Sequence, residues 1–69
     1  MLDTKSLIVL AYLKNYFKES NKPITSVEIT IDGLNHNDID DAIEILANNC
    51  YINLTEKNYI HPVVISIND

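Results

Sequence analysis

Between Ser6 and Phe17 the chain has neither glycine nor proline, and its apolar residues recur at helical spacing. At about 100° per residue, Leu2, Val9, Leu10, Leu13, Tyr16 and Phe17 fall on one face. A chain that opens this way builds an amphipathic helix and must cover its stripe. Asp3 is the expected N-cap, with Leu2 before it as a staple residue. Asn21, Lys22 and Pro23 close the helix, because the residue before a proline avoids the α region. The spacing predicts a helix over residues 1–20.

Leu7, Ile8, Ala11 and Tyr12 stand off that stripe, interleaved with Lys14, Asn15 and Lys18. Ordinary exposed apolar surface is one reading of them. The other is a second cover, since a helix that is apolar nearly all round in a small domain has more surface than one core can bury. Ile8, Ala11 and Tyr12 are therefore the expected homodimer interface. Small size argues the same way. At 69 residues the chain is one domain, residues 1–69, and buries only about 60% of its unfolded surface. With one Cys it has no intramolecular disulfide to help.

Past Pro23, Ile24 and Thr25 are extended, and Thr25 or Ser26 can cap a short second helix from Ser26 to Ile31. Its β-branched residues make a strand from Ile24 to Thr30 the rival reading. Asp32-Gly33 is a turn in which Gly33 takes positive φ. A third helix is expected over 37–50, with Asn37 as N-cap and Asp38, Asp40 and Asp41 in its first turn, where the macrodipole favours carboxylates. Ile39, Ala42, Ile43, Leu46, Ala47 and Cys50 align towards the first helix. Asp38, Asp41, Glu44, Ile45 and Asn48 face outwards.

The last third reads as a β-hairpin. Tyr51 to Thr55 alternates, Glu56-Lys57-Asn58 turns with Asn58 in the left-handed position, and Tyr59 to Ile67 returns. Ile52, Leu54 and Ile60 share the inner face; Tyr51, Asn53, Thr55, Tyr59 and His61 share the other. Pro62 cannot donate to a ladder and marks an edge position or a bulge. The run Val63 to Ile67 reads as an unblunted sheet edge, a second route to pairing between copies.

The order of these elements gives a mainly α fold of three helices with a C-terminal β-hairpin. It resembles the winged helix-turn-helix family. The likeness is carried by Lys22-Pro-Ile-Thr-Ser26, Asp32-Gly-Leu34, Ile39-Asp-Asp-Ala-Ile-Glu-Ile-Leu46 and Cys50-Tyr-Ile-Asn-Leu-Thr-Glu-Lys-Asn-Tyr-Ile60. It spans nearly the whole chain. Asp40-Asp-Ala-Ile-Glu-Ile-Leu46 through Tyr51-Ile52 is also similar to small YjcQ-type winged-helix proteins of Gram-positive bacteria and their phages, which bring no established activity. The wing would be Lys57, Asn58 and Tyr59. The resemblance implies DNA binding, with the third helix in the major groove.

Charge departs from that pattern. The formal net charge is −5. Residues 1–34 are neutral, while residues 35–69 hold six acids against Lys57 alone. DNA affinity comes largely from neutralised phosphates, and the outer face of the third helix offers Asp38, Asp41 and Glu44 with no cation. The expected function is therefore a small acidic winged-helix interaction module. It would be a non-enzymatic regulator acting through protein contacts, with Asp38, Asp41, Glu44, Ile45 and Asn48 meeting a basic partner. A DNA-binding transcription regulator is the alternative, and a phage inhibitor of a host nucleic-acid site is a third reading. Eleven Ile and nine Asn with no Arg, Gln or Trp suggest an AT-rich source such as a phage or mobile element.

Chemistry is sparse. Cys50 reads as a core residue at a helix end whose dipole disfavours a thiolate. His36 with Asp38 and Asp40 could hold a metal, but a capping region accounts for them, and in the stretch from Asp32 to Asn37 the glycine is misplaced for a calcium loop. No nucleophile–base pair or carboxylate pair can be placed in a pocket, so neither catalysis nor a cofactor is expected. No apolar run nears 18 residues and no charged leader is present, so the expected location is cytoplasmic rather than membrane-bound.

Overall fold

The computed structural model describes residues 2–55 and 62–68. The chain runs through helix α1 (Thr4–Glu19), strand β1 (Ile24–Thr25), one 3-10 turn (Ser26–Glu28), helix α2 (His36–Asn48), strand β2 (Ile52–Leu54) and strand β3 (Val63–Ile67). Among the described residues it is a mixed α/β fold: two α-helices against a three-stranded antiparallel sheet of order β1-β3-β2.

α1 starts where its cap dictates. The Asp3 carboxylate accepts the Ser6 backbone N–H at 2.8 Å, satisfying one of the orphan donors of the first turn. Val9, Leu10 and Leu13 are buried on the expected face, with Leu2, Tyr16 and Phe17 packed at its margin. Ser6 is also fully buried there. α2 lays Ile39, Ala42, Ile43 and Leu46 against α1. Ile24, Ile29, Ile52 and Val64 close the core from the strand side.

Several expectations are corrected. The second helix, expected over Ser26 to Ile31, is only the 3-10 turn, and the rival strand survives only as β1. The β-branched run resists helix beyond one turn, and Ile29 is already extended at φ −87°, ψ 123°. That turn is nonetheless capped: the Glu28 side chain accepts the Thr25 backbone N–H at 3.0 Å. The fold is accordingly not mainly α.

α2 begins before Asn37. Its N-cap is Asn35, whose side-chain oxygen accepts the Asp38 N–H at 2.8 Å. The Asp38 carboxylate accepts the Asn35 N–H at 3.3 Å, completing a capping box.

α2 also ends earlier than expected, and Cys50 is exposed rather than in the core. Cys50 has φ +64°, in the left-handed region. Its N–H donates to Ala47 O at 3.0 Å and the Tyr51 N–H to Leu46 O at 2.9 Å. These two bonds are the Schellman closure of a helix, with Cys50 where glycine is usual.

β3 is not an edge. It is the central strand, paired with β1 through Ile24↔Val64 and Thr25↔Val63 and with β2 through Ile52↔Ile67, Asn53↔Ser66 and Leu54↔Val64. The register shifts by one residue between Asn53 and Leu54, a bulge that leaves Ile65 unopposed on β3. Pro62 stands just before β3 and contributes only an acceptor, its carbonyl receiving the Ser26 N–H at 3.1 Å. The expected turn Glu56-Lys57-Asn58 and the residues Tyr59, Ile60 and His61 lie outside the described residues.

Candidate functional site: the acidic face of the second helix

The first turns of α1 and α2 lie side by side. Lys5 Nζ donates to Asp38 Oδ1 at 2.9 Å, with the lysine largely exposed and the aspartate partly covered. Beside this pair is a shallow hollow of about 190 Å³, lined by Asp3, Lys5, Ser6, Asp38, Asp41, Ala42 and Ile45. Ile45 supplies apolar surface above the buried Ala42, and three carboxylates share the lining with one ammonium group.

Charge in the hollow is ordered by local bonding. The Lys5 ammonium, and after it the Asn35 N–H, hold the Asp38 carboxyl below its ordinary 3.8. Hydrogen bonding from Ser6 does the same for Asp3. The Asp38 carboxylate in turn raises Lys5 above 10.5. All three groups are thus charged at neutral pH.

The five residues expected to face a partner differ in their surroundings. Asp38 binds Lys5 and Asn35 with its two oxygens, so it holds the site together. Asp41 and Glu44 are exposed, Ile45 is half-buried, and Asn48 is exposed at the last turn. Of the expected dimer residues, Ile8 and Ala11 are exposed, while Tyr12 is half-buried against the core. The wing residues Lys57, Asn58 and Tyr59 lie outside the described residues. His36 is the exposed first residue of α2. Among the described residues no group of three or more His, Cys, Asp or Glu is arranged to hold a metal ion.

The contributions of Asp3 and Lys5 to this face escape a reading of α2 alone, since their meeting with Asp38 is a product of helix packing. A second polar cluster was equally hidden. Asn53 Nδ2 donates to Ser66 Oγ at 3.0 Å and to Asn68 Oδ1 at 2.8 Å, and Asn68 Nδ2 donates to Cys50 O at 2.9 Å. This chain of amides ties the end of α2 to the end of β3. Alternation along β2 put Asn53 on the outer face, but nothing in the sequence marked its partners.

No family model, curated protein or solved structure matches the chain. Among the described residues no helix is long and apolar enough to cross a membrane.

Proposed function

We propose that this chain is a small winged-helix interaction module, a non-enzymatic regulator that receives a basic segment of a partner protein on the outer face of α2. The observation that carries the reading is the hollow between the helices. Its carboxylates lie around the half-buried Ile45, a combination suited to a lysine or arginine side chain with an aliphatic stem. Exposed Asp41 and Glu44 extend the same charge along the helix. The winged-helix assignment is supported by the element order of helix, short strand, helical turn, helix and two strands, which follows the order the family resemblance implies.

The alternative, a DNA-binding winged-helix regulator, asks α2 to approach phosphates with this face. The cation beside it, Lys5, is already bound to Asp38. Nothing else on the outer face of α2 is positive. Charge of this sign steers a basic partner in and keeps a polyanion away.

Titration of the full chain with a fluorescent Lys/Leu-rich peptide tests the proposal. Binding is expected to weaken with salt and to fall at least about tenfold in Asp41→Lys/Glu44→Lys. Both positions are exposed, so the variant should fold. Undiminished peptide binding by that variant, or no binding by the wild type at ~20 mM salt where screening is weak, overturns it.

A further inference from the structure

The outer side of α1 carries a second pattern, independent of the acidic face of α2. Thr4, Ile8, Ala11, Asn15 and Lys18 are all exposed and are spaced four, three, four and three residues apart. That is the spacing of a seam between two packed helices. Leu7, 53% exposed, flanks the seam, and Ile8 within it is 41% exposed. Ala11 is at the middle of the stripe and is small enough to let another helix come close.

The two ends of this face are opposite in charge. At the N-terminal end is the exposed Asp3. At the C-terminal end Lys14 and Lys18 flank a separate groove beside Phe17 and Ile67. Neither lysine forms an ion pair among the described residues.

We infer that α1 packs antiparallel against α1 of a second copy of this chain, about a two-fold axis passing beside Ala11. Antiparallel packing brings Lys18 level with Asp3 and Thr4 of the second copy. Glu19 comes within a turn of the second copy's Lys5, and Ile8 lies opposite Asn15. The acidic end of each copy meets the lysine end of the other, twice, as an isologous interface requires. Parallel packing would set Lys18 on Lys18, bring the two Asp3 carboxylates together and align the helix dipoles. Charge complementarity therefore selects the orientation, and Leu7, Ile8 and Ala11 supply the apolar centre. The lysine stems can lie over Leu7 of the facing copy. With so small an apolar centre the dimer is a weak one, with a dissociation constant of about 10–100 µM.

Sedimentation equilibrium of the full chain from ~10 µM to ~1 mM tests association in the range where such a constant is visible. A reversible dimer that weakens with salt is expected, and Ile8→Glu should be monomeric with an unchanged circular dichroism spectrum. Orientation is tested by oxidation in a Cys50→Ser background. Ala11→Cys, next to the axis, should cross-link to itself, whereas Asn15→Cys, which faces Ile8, should not. A wild type that is monomeric at ~1 mM, an Ile8→Glu variant that still dimerises, or Asn15→Cys cross-linking as readily as Ala11→Cys would each overturn the inference.

Discussion

Lys5 and Asp38, 33 positions apart in the chain, meet at 2.9 Å between the first turns of α1 and α2. The same carboxylate closes the capping box of α2. One side chain thus ends the loop before α2, starts the helix and ties it to α1. The surface character of the pair makes its direct worth small. Its measurable signature is a dependence on pH.

Asp38 and Asp3 titrate below their ordinary 3.8 in the folded chain, Asp38 chiefly through Lys5 and Asp3 chiefly through Ser6. A carboxylate lowered on folding stabilises the fold above its unfolded pKa and loses that contribution as pH falls through the folded value. Lys5, raised above 10.5, contributes below that value and loses its contribution as pH rises through the folded pKa. Stability should therefore be level near neutrality and decline below about pH 4. Urea midpoints at about pH 6 and pH 3 check this, and Asp38→Asn should flatten the acid limb. Equal midpoints at the two pH values would show that these carboxylates do not stabilise the fold.

Cys50 occupies the left-handed position of the Schellman closure with a side chain that disfavours it. Cys50→Gly should stabilise the chain by about 1 kcal/mol, read as a higher denaturant midpoint, because glycine adopts this conformation without the Cβ penalty. Cys50→Ala keeps the Cβ and should bring no such gain. If the alanine variant matches the glycine variant, the backbone is not the source of the strain.

Leu13 on α1 and Leu46 on α2 are both fully buried at the junction of the two helices. Either residue changed to alanine should cost about 2–5 kcal/mol through the cavity left behind. A domain of this size has little stability in reserve, so loss of the cooperative transition is an equally consistent result. A change under about 1 kcal/mol would mean that the junction collapses around the deletion.

With its acidic helix face, the chain should bind random duplex DNA at ~150 mM salt more weakly than the usual non-specific range of about 10⁻⁴–10⁻⁶ M. Fluorescence anisotropy with a labelled duplex provides the measurement. Micromolar binding with a steep salt dependence would return the DNA-binding reading to first place.

The helices were legible because their faces are written in residues that repeat every turn: Val9, Leu10 and Leu13, then Ile39, Ala42, Ile43 and Leu46. Their ends were less so. Asn35 and Asn37 have the same chemistry two positions apart, and only the reciprocal bond with Asp38 selects Asn35. Cys50 continues the apolar phase of α2, so periodicity placed it inside, although the helix had already turned back at Asn49. The sheet is hard to read from the sequence for a different reason. Ile24 and Thr25 are too few to announce a strand, and nothing local says that Val63 and Val64 will pair with them across 38 and 40 positions. The acidic face was legible in part: Asp41 and Glu44 are on it as charge patterning required, while Asp3 and Lys5 joined through a tertiary contact.

The placement of β3 governs the order in which this molecule can be assembled. Among the described residues β1 and β2 do not pair with each other, and every rung of the sheet runs through a strand that comes later in the chain than both. Without Val63 to Ile67 the sheet has no rung among the described residues. Without them Ile24, Ile29 and Ile52 also lack the cover that Val64 supplies. The β1–β3 rungs join residues 38 and 40 positions apart, the slow kind of contact to form in a small domain.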